Sequence, residues 1–226
     1  MHVLDNPAWS ALTGAQSGFA VGDDVAKRFR ADVSPFAAVA DPKDPRAWES
    51  LARIVEPGET VGVYAPDAPA GWRTVAAYDA LQLVYSGERA PTVTVATGTQ
   101  LVDLGDADVP EMTDLVERTK PGPFLPRTIE FGGYRGVHID GRLAAMAGQR
   151  MRPDGYCEVS AVCTDPDFRG RGFAALAMAA VMEGILNRGE RPFLHVERVN
   201  ERAVSVYERL GFERRADQTI LVAERL

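Results

Sequence analysis

Cysteine, histidine and lysine are all scarce in this chain, and each shortage removes a class of function. Two cysteines and three histidines in 226 residues offer no paired spacing of the kind that holds zinc, so no metal is expected. Cys157 and Cys163 lie on a stretch that reads as one extended strand, too far apart along it for a disulfide. Both are expected as reduced thiols. No run approaches the roughly 18 apolar residues that a membrane span needs, and Met1-His2-Val3-Leu4-Asp5 lacks the charged and apolar regions of a secretory signal. A cytoplasmic location and no membrane partner are the expectation. Lysine occurs only at Lys27, Lys43 and Lys120, while arginine and alanine abound. That usage suits a GC-rich bacterial genome and says nothing about chemistry. Positive charge is in deficit overall, with a net charge of −7, which disfavours nucleic acid as a partner.

What remains is ample for a globular enzyme, with 46% hydrophobic residues to fill a core. Asp44 and Pro45 read as the cap and first residue of a helix carrying Trp48, Leu51, Ala52 and Val55 on one face, ended by Glu56-Pro57-Gly58. Strand candidates follow at 60–64, 81–85 and 92–95. Residues 1–95 therefore read as an N-terminal accessory α+β region. A degenerate relative of the C-terminal half would account for it, although no internal repeat is visible in the sequence.

From residue 96 the elements come in a clearer order. A strand at 100–104 precedes Asp108-Val109-Pro110-Glu111, which has the form of a capping box, and Val109, Met112 and Val116 recur at helical spacing. Lys120-Pro121-Gly122-Pro123 stops that helix. Strands at 136–139 and 142–148 flank Asp140-Gly141, a dipeptide suited to a tight hairpin. The sum is a mixed α+β fold with a mostly antiparallel central sheet flanked by helices.

The chemistry is concentrated downstream. A strand over Cys157 to Thr164 breaks at Asp165-Pro166-Asp167 and passes Phe168-Arg169-Gly170-Arg171-Gly172-Phe173-Ala174 into a helix. Glycines let successive backbone N–H groups converge, a helix start adds partial positive charge, and two guanidiniums can grip phosphate oxygens. The spacing is neither the dinucleotide fingerprint nor the Walker sequence. By itself such a turn is equally well a solvated, basic helix start. A second segment follows a strand at 192–197. Asn200 reads as a cap and Gly211 as a stop, with Ala203, Val206, Tyr207 and Leu210 on one face between them.

Arg169-x-x-Gly172-x-Ala174 resembles the coenzyme A loop of the GNAT N-acetyltransferase superfamily. Asn200-x-x-Ala203-x-x-x-Tyr207-x-x-x-Gly211-Phe212 is similar to that superfamily's last helix. The resemblance covers about residues 100–226 and implies a GNAT domain at 96–226 that takes acetyl-CoA as co-substrate. It assigns Arg169, Gly170, Arg171, Gly172, Phe173 and Ala174 to the pyrophosphate, Asn200 and Ala203 to the pantetheine arm, and Tyr207 to the sulfur, as the acid that protonates the departing thiolate. It also implies that Val162, Cys163 and Thr164 offer backbone groups to the pantetheine amides, as an added strand would.

The choice of base rests on the residues alone. Glu158 is the first choice for general base, since a carboxylate in a partly dry cleft can have its pKa raised. His195 and Glu197 compete for that role, and His195 would in any case face the acceptor. On the layout that the resemblance implies, Phe124 and Arg127 would lie on the acceptor side; Arg127 would suit an acceptor carboxylate or be solvated, and Phe124 reads equally well as core. Cys163 is a tempting nucleophile that direct transfer does not need. The expected activity is acetyl transfer to a primary amine of a small molecule or peptide. The other reading is a non-catalytic acyl-CoA-binding module. A homodimer is compatible with the sequence, and nothing in it requires one.

Overall fold

The computed structural model describes residues 2–226. The elements run α1 Pro7–Thr13, β1 Ala20–Gly22, β2 Ala26–Phe29, β3 Ala37–Val39, α2 Pro45–Ala52, β4 Thr60–Tyr64, β5 Trp72–Tyr85, β6 Gln100–Asp103 and α3 Val109–Thr119. They continue with β7 Arg135–Ile139, β8 Arg142–Gln149, β9 Tyr156–Thr164, α4 Phe173–Asn187, β10 Arg191–Glu197, α5 Glu201–Arg209 and β11 Phe212–Arg225. Strands β1 to β3 form a small antiparallel sheet. The other eight form one sheet in the order β4-β11-β5-β10-β9-β8-β7-β6, antiparallel throughout except where β9 meets β10.

The division expected at residue 95 does not separate two sheets. Strands β4 and β5 come from the first 95 residues, yet they are hydrogen-bonded into the large sheet through β11 and β10. Their alternation places Val61 and Val63 in the core around Trp48 and Trp72, and Tyr64 in a second core with Phe36 and Phe193. The first of these cores exists because α2 starts cleanly. The Asp44 carboxylate accepts from the Arg46 N–H at 3.0 Å with Pro45 at the first helical position, which aims Trp48 edge-on at Trp72, 5.6 Å between centroids.

Two local expectations differ from what is observed. The Asp108 carboxylate accepts from the Gly105 N–H at 2.8 Å and makes no cap to α3, because a tight 3₁₀ turn at Asp106–Asp108 claims it first. Glu111 then reaches across to the Leu143 N–H at 2.6 Å instead of closing a box. Residues 92–95 form no strand, although Val93 and Val95 pack against the main core. At the hairpin, Asp140 and Gly141 both take positive φ, +50° and +77°, as a tight two-residue turn between β7 and β8 requires.

The main core lies between the sheet and α4, whose Phe173, Ala177, Met178, Val181, Met182 and Ile185 are buried. Helix α3 buries Met112 and Leu115 with Tyr134, Met146 and Cys163. No helix among the described residues is long and apolar enough to cross a membrane.

Candidate active site

The turn after β9 is tied down by Asp165, whose carboxylate accepts from the Asp167 N–H and from Arg118 Nη2, both at 3.0 Å. Gly170 and Gly172 then take φ of +79° and +82°, left-handed conformations that cost an L side chain about 1 kcal/mol or more. Gly172 caps α4 with no side-chain hydrogen bond. The first-turn N–H groups of Phe173, Ala174 and Ala175 are therefore left to point outward with the helix's partial positive charge. Residues 169 to 175 line a single cleft of about 1200 Å³.

Helix α5 forms the facing wall. The Asn200 side chain accepts from the Ala203 N–H at 3.2 Å, which starts the helix and turns Ala203, Val206 and Tyr207 toward the cleft. Burial, and then the neighbouring Cys163, push the Tyr207 phenol up to about 12, so it holds its proton. Burial likewise raises the Cys163 thiol to about 11, against smaller opposing effects. It is a neutral thiol, not a poised nucleophile.

The floor of the cleft is a gap in the sheet. Strands β9 and β10 pair only over Arg191↔Tyr156, Pro192↔Cys157 and Phe193↔Glu158, beyond which β9 bonds to β8 and β10 to β5. Pairing with β8 also slips, from Gly148↔Ser160 to Met146↔Cys163, around Ala161, which sits at φ +52°. That bulge bends the strand and leaves the extra residue outside the ladder. Val162, Cys163 and Thr164 follow it along the cleft, where an open strand edge can take an extended ligand.

At the apex of the gap sits Glu158, fully buried. Arg150 donates to it through Nε at 2.8 Å and Nη2 at 2.6 Å, and His195 Nδ1 lies 2.7 Å away. Burial alone would raise this carboxyl, but the Arg150 charge and these hydrogen bonds outweigh it and bring it down to about 2. The expectation of a base with a raised pKa is corrected accordingly: a saturated, ionised carboxylate outside the cleft lining cannot take a proton from the acceptor.

His195 is held just as firmly. Gln82 donates from Nε2 to the Leu4 carbonyl at 2.8 Å and accepts at Oε1 from Arg215 at 2.7 Å, which fixes its amide. Its other amide hydrogen faces His195 Nε2 at 3.0 Å, so that nitrogen carries the lone pair and Nδ1 carries the proton bonded to Glu158. The His195 side chain is 3% exposed, so this partly buried residue meets the cleft mainly through its main chain.

Phe124 and Arg127 are not among the residues lining the cleft. Phe124 packs edge-on to Tyr134 in the core beneath α3, and Arg127 pairs with Asp32 at 3.0 Å and with Glu130. The segment that does reach the cleft is Lys120 to Pro123, four residues earlier, where Lys120 ends α3 in a left-handed conformation. Sequence reasoning also passed over Arg150, Arg202 and Arg209 and the N-terminal contributions Phe36, Thr60, Gly62, Tyr78 and Ala80. The basic pair on α5 was visible beside the Asn200 pattern; the N-terminal residues carry no local signal. Six basic side chains and one carboxylate, Glu197, line the cleft of a chain with net charge −7, a local field that favours a polyanionic ligand. No cluster of three or more His, Cys, Asp or Glu that could hold a metal occurs among the described residues.

Comparison with known proteins bears on the fold and the family. The model of the FR47-like protein family matches residues 135–222. A crystal structure from Novosphingobium aromaticivorans DSM 12444, of a protein described as an acetyltransferase of the GNAT family, is 39% identical over 100% of both chains with a TM-score of 0.89. The chain belongs to the GNAT family, whose members take their acyl group from acetyl-CoA. A GCN5-related N-acetyltransferase from Kribbella flavida is 17% identical over 95% of this chain and 93% of that one, with a TM-score of 0.66. A GCN5-related N-acetyltransferase-like protein from Streptococcus suis 89/1591 is 14% identical over 96% and 92%, with a TM-score of 0.59. These two share the fold. No curated protein matches the chain.

Proposed function

We propose that this protein is an acetyl-CoA-dependent N-acetyltransferase that passes the acetyl group directly to a primary amine. The observation that carries the reading is the continuity of one cleft, from the glycine turn and the first turn of α4, along Val162 to Thr164, to Tyr207. The residues present fit the co-substrate. Positive φ at Gly170 and Gly172 and the uncapped α4 N-terminus suit a diphosphate, and Arg169, Arg171, Lys120, Arg202 and Arg209 supply countercharge. Asn200, Ala203 and the open edge of β9 suit the pantetheine arm.

Acetyl-CoA supplies a thioester; the chain's residues manage protons and position. An amine must lose a proton before it can attack, since an alkyl ammonium has a pKa of about 10. Glu197, the one carboxylate lining the cleft, accepts that proton directly or through a water. The amine nitrogen bonds to the acyl carbon as the carbon–sulfur bond breaks, Tyr207 gives its phenolic proton to the sulfur, and the second proton shed by the nitrogen on becoming an amide restores the phenol. Burial pushes that phenol up to about 12, so it keeps its proton across the working range and has it to give. Glu158, Arg150 and Gln82 hold the gap in the sheet in shape around the neutral His195 ring.

The test is thiol release from acetyl-CoA with a panel of amines. Wild type should turn over, and Tyr207→Phe should lose about 100-fold in kcat with acetyl-CoA affinity retained. Its kcat should show no basic limb below pH 10 that Tyr207→Phe abolishes. Tight acetyl-CoA binding with no amine-dependent release would make the chain a non-catalytic binding module.

A further inference from the structure

Arg150 follows the end of β8, and its guanidinium is immobilised on three sides. Nε and Nη2 are spent on Glu158. The planar group lies against Phe36, with Cζ 4.8 Å from the ring centroid. Phe36 is itself fixed: it stacks on Tyr64 at 6.0 Å and 22°, over Gly62, where a Cβ would come within 3.1 Å of its ring. The remaining nitrogen, Nη1, donates to no described residue. The side chain is 15% exposed and Arg150 lines the cleft, which leaves Nη1 available to a ligand there. A guanidinium nitrogen held this rigidly is a donor preorganised for a carboxylate oxygen, since little side-chain entropy is left to lose on binding.

The same cleft is lined by Glu197, two residues along β10 from His195, whose ring bonds the Glu158 carboxylate that holds Arg150. The cleft thus offers a fixed cationic donor and a single carboxylate. The cleft lining also includes Phe36, which lies against Arg150, and Tyr78, Ile220 and Val222, an apolar and aromatic set.

We infer that the acceptor is an α-amino acid with an apolar or aromatic side chain, its carboxylate received by Arg150 Nη1 and its ammonium by Glu197. This rests on the acetyl-transfer reading above and adds the substrate class. It moves the carboxylate-recognition role expected at Arg127 to a residue that lines the cleft. A simple alkylamine leaves Nη1 unpaired, and a diamine sets its second charge against a guanidinium.

The experiment compares phenylalanine, phenethylamine and the dipeptide Phe-Gly as acceptors, by kcat/KM at fixed acetyl-CoA. Phenylalanine should exceed phenethylamine by about 10- to 100-fold, the range expected for one charge-assisted hydrogen bond. Arg150→Lys, checked for folding by its thermal melt, should cut the phenylalanine value at least tenfold and bring the two amines within about threefold. Calorimetric titration of phenylalanine and phenethylamine into the wild type with coenzyme A should show the same preference without turnover. Equal rates for the two in the wild type overturn the inference alone and need no variant to fold. A Phe-Gly value tenfold above phenylalanine overturns it in favour of a peptide N-terminus. Silence with every amine in a broad panel overturns the acetyl-transfer reading and this inference together.

Discussion

Replacing Glu158 by glutamine isolates the ion pair at the apex of the sheet gap. The side chain keeps its shape and loses its charge, so the Arg150 guanidinium loses the anion that compensates it. The depression of Glu158 from its ordinary 4.5 to about 2 sets the magnitude, about 3 kcal/mol at neutral pH if the unfolded chain titrates normally. Full burial means that no solvent screening discounts it. Breaking a buried pair from one side costs about 3 to 5 kcal/mol in general, which agrees. The sign follows from linkage. A carboxyl with a depressed folded pKa contributes stability that is fully present above the unfolded value and is lost as pH falls through the folded one. The gap between wild type and Glu158→Gln should therefore shrink from about 3 kcal/mol at pH 7 to about 2 kcal/mol at pH 3.5. Urea denaturation followed by circular dichroism at the two pH values measures it. A difference below about 1 kcal/mol at pH 7, or one that grows as pH falls, would refute the assignment of Glu158 as a structural anion.

Two further changes probe the cleft. Cys163→Ser should keep kcat within about fivefold, because burial holds the thiol near 11 and direct transfer bypasses it; loss of more than 100-fold, or an acetylated Cys163 found by mass spectrometry, would restore an acyl-enzyme route. Gly172→Ala introduces a Cβ into open space, its nearest contact being Val95 Cγ1 at 3.8 Å, so the penalty is conformational, about 1 kcal/mol at φ +82°. It should raise KM for acetyl-CoA several-fold and leave the amine's KM unchanged, and a change confined to the amine would place the diphosphate elsewhere.

The parts of the site legible in the sequence are those whose chemistry needs neighbours along the chain. A glycine turn that aims backbone N–H groups, and a helix that carries Asn200, Ala203 and Tyr207 on one face, are written within a dozen residues each. The antiparallel character of the large sheet was legible too, through its hairpins. Glu158 was misjudged because its state depends on Arg150 across the β8–β9 hairpin and on His195 thirty-seven residues later, neither of which alters its local pattern. Gln82, which sets the His195 tautomer, is 113 residues from it. Strand β11 went unread because Phe212-Glu213-Arg214-Arg215 opens it with charge, and β5 was read only over 81–85 because its earlier part is largely exposed. In both, partner strands override weak local preference. The N-terminal lining of the cleft was hidden for the same reason: its residues are ordinary until the sheet assembles them.

The position of β11 between β4 and β5 has a consequence for how the molecule is made. Those two strands are consecutive in the chain but never pair, and apart from a single bridge from Phe36 to Gly62, β4 has no hydrogen-bonded neighbour until residues 220–224 arrive. An emerging polypeptide must carry β4 without a ladder partner in the large sheet through the synthesis of β5 to β10, so the docking of that edge waits on the ribosome delivering residues 220–224.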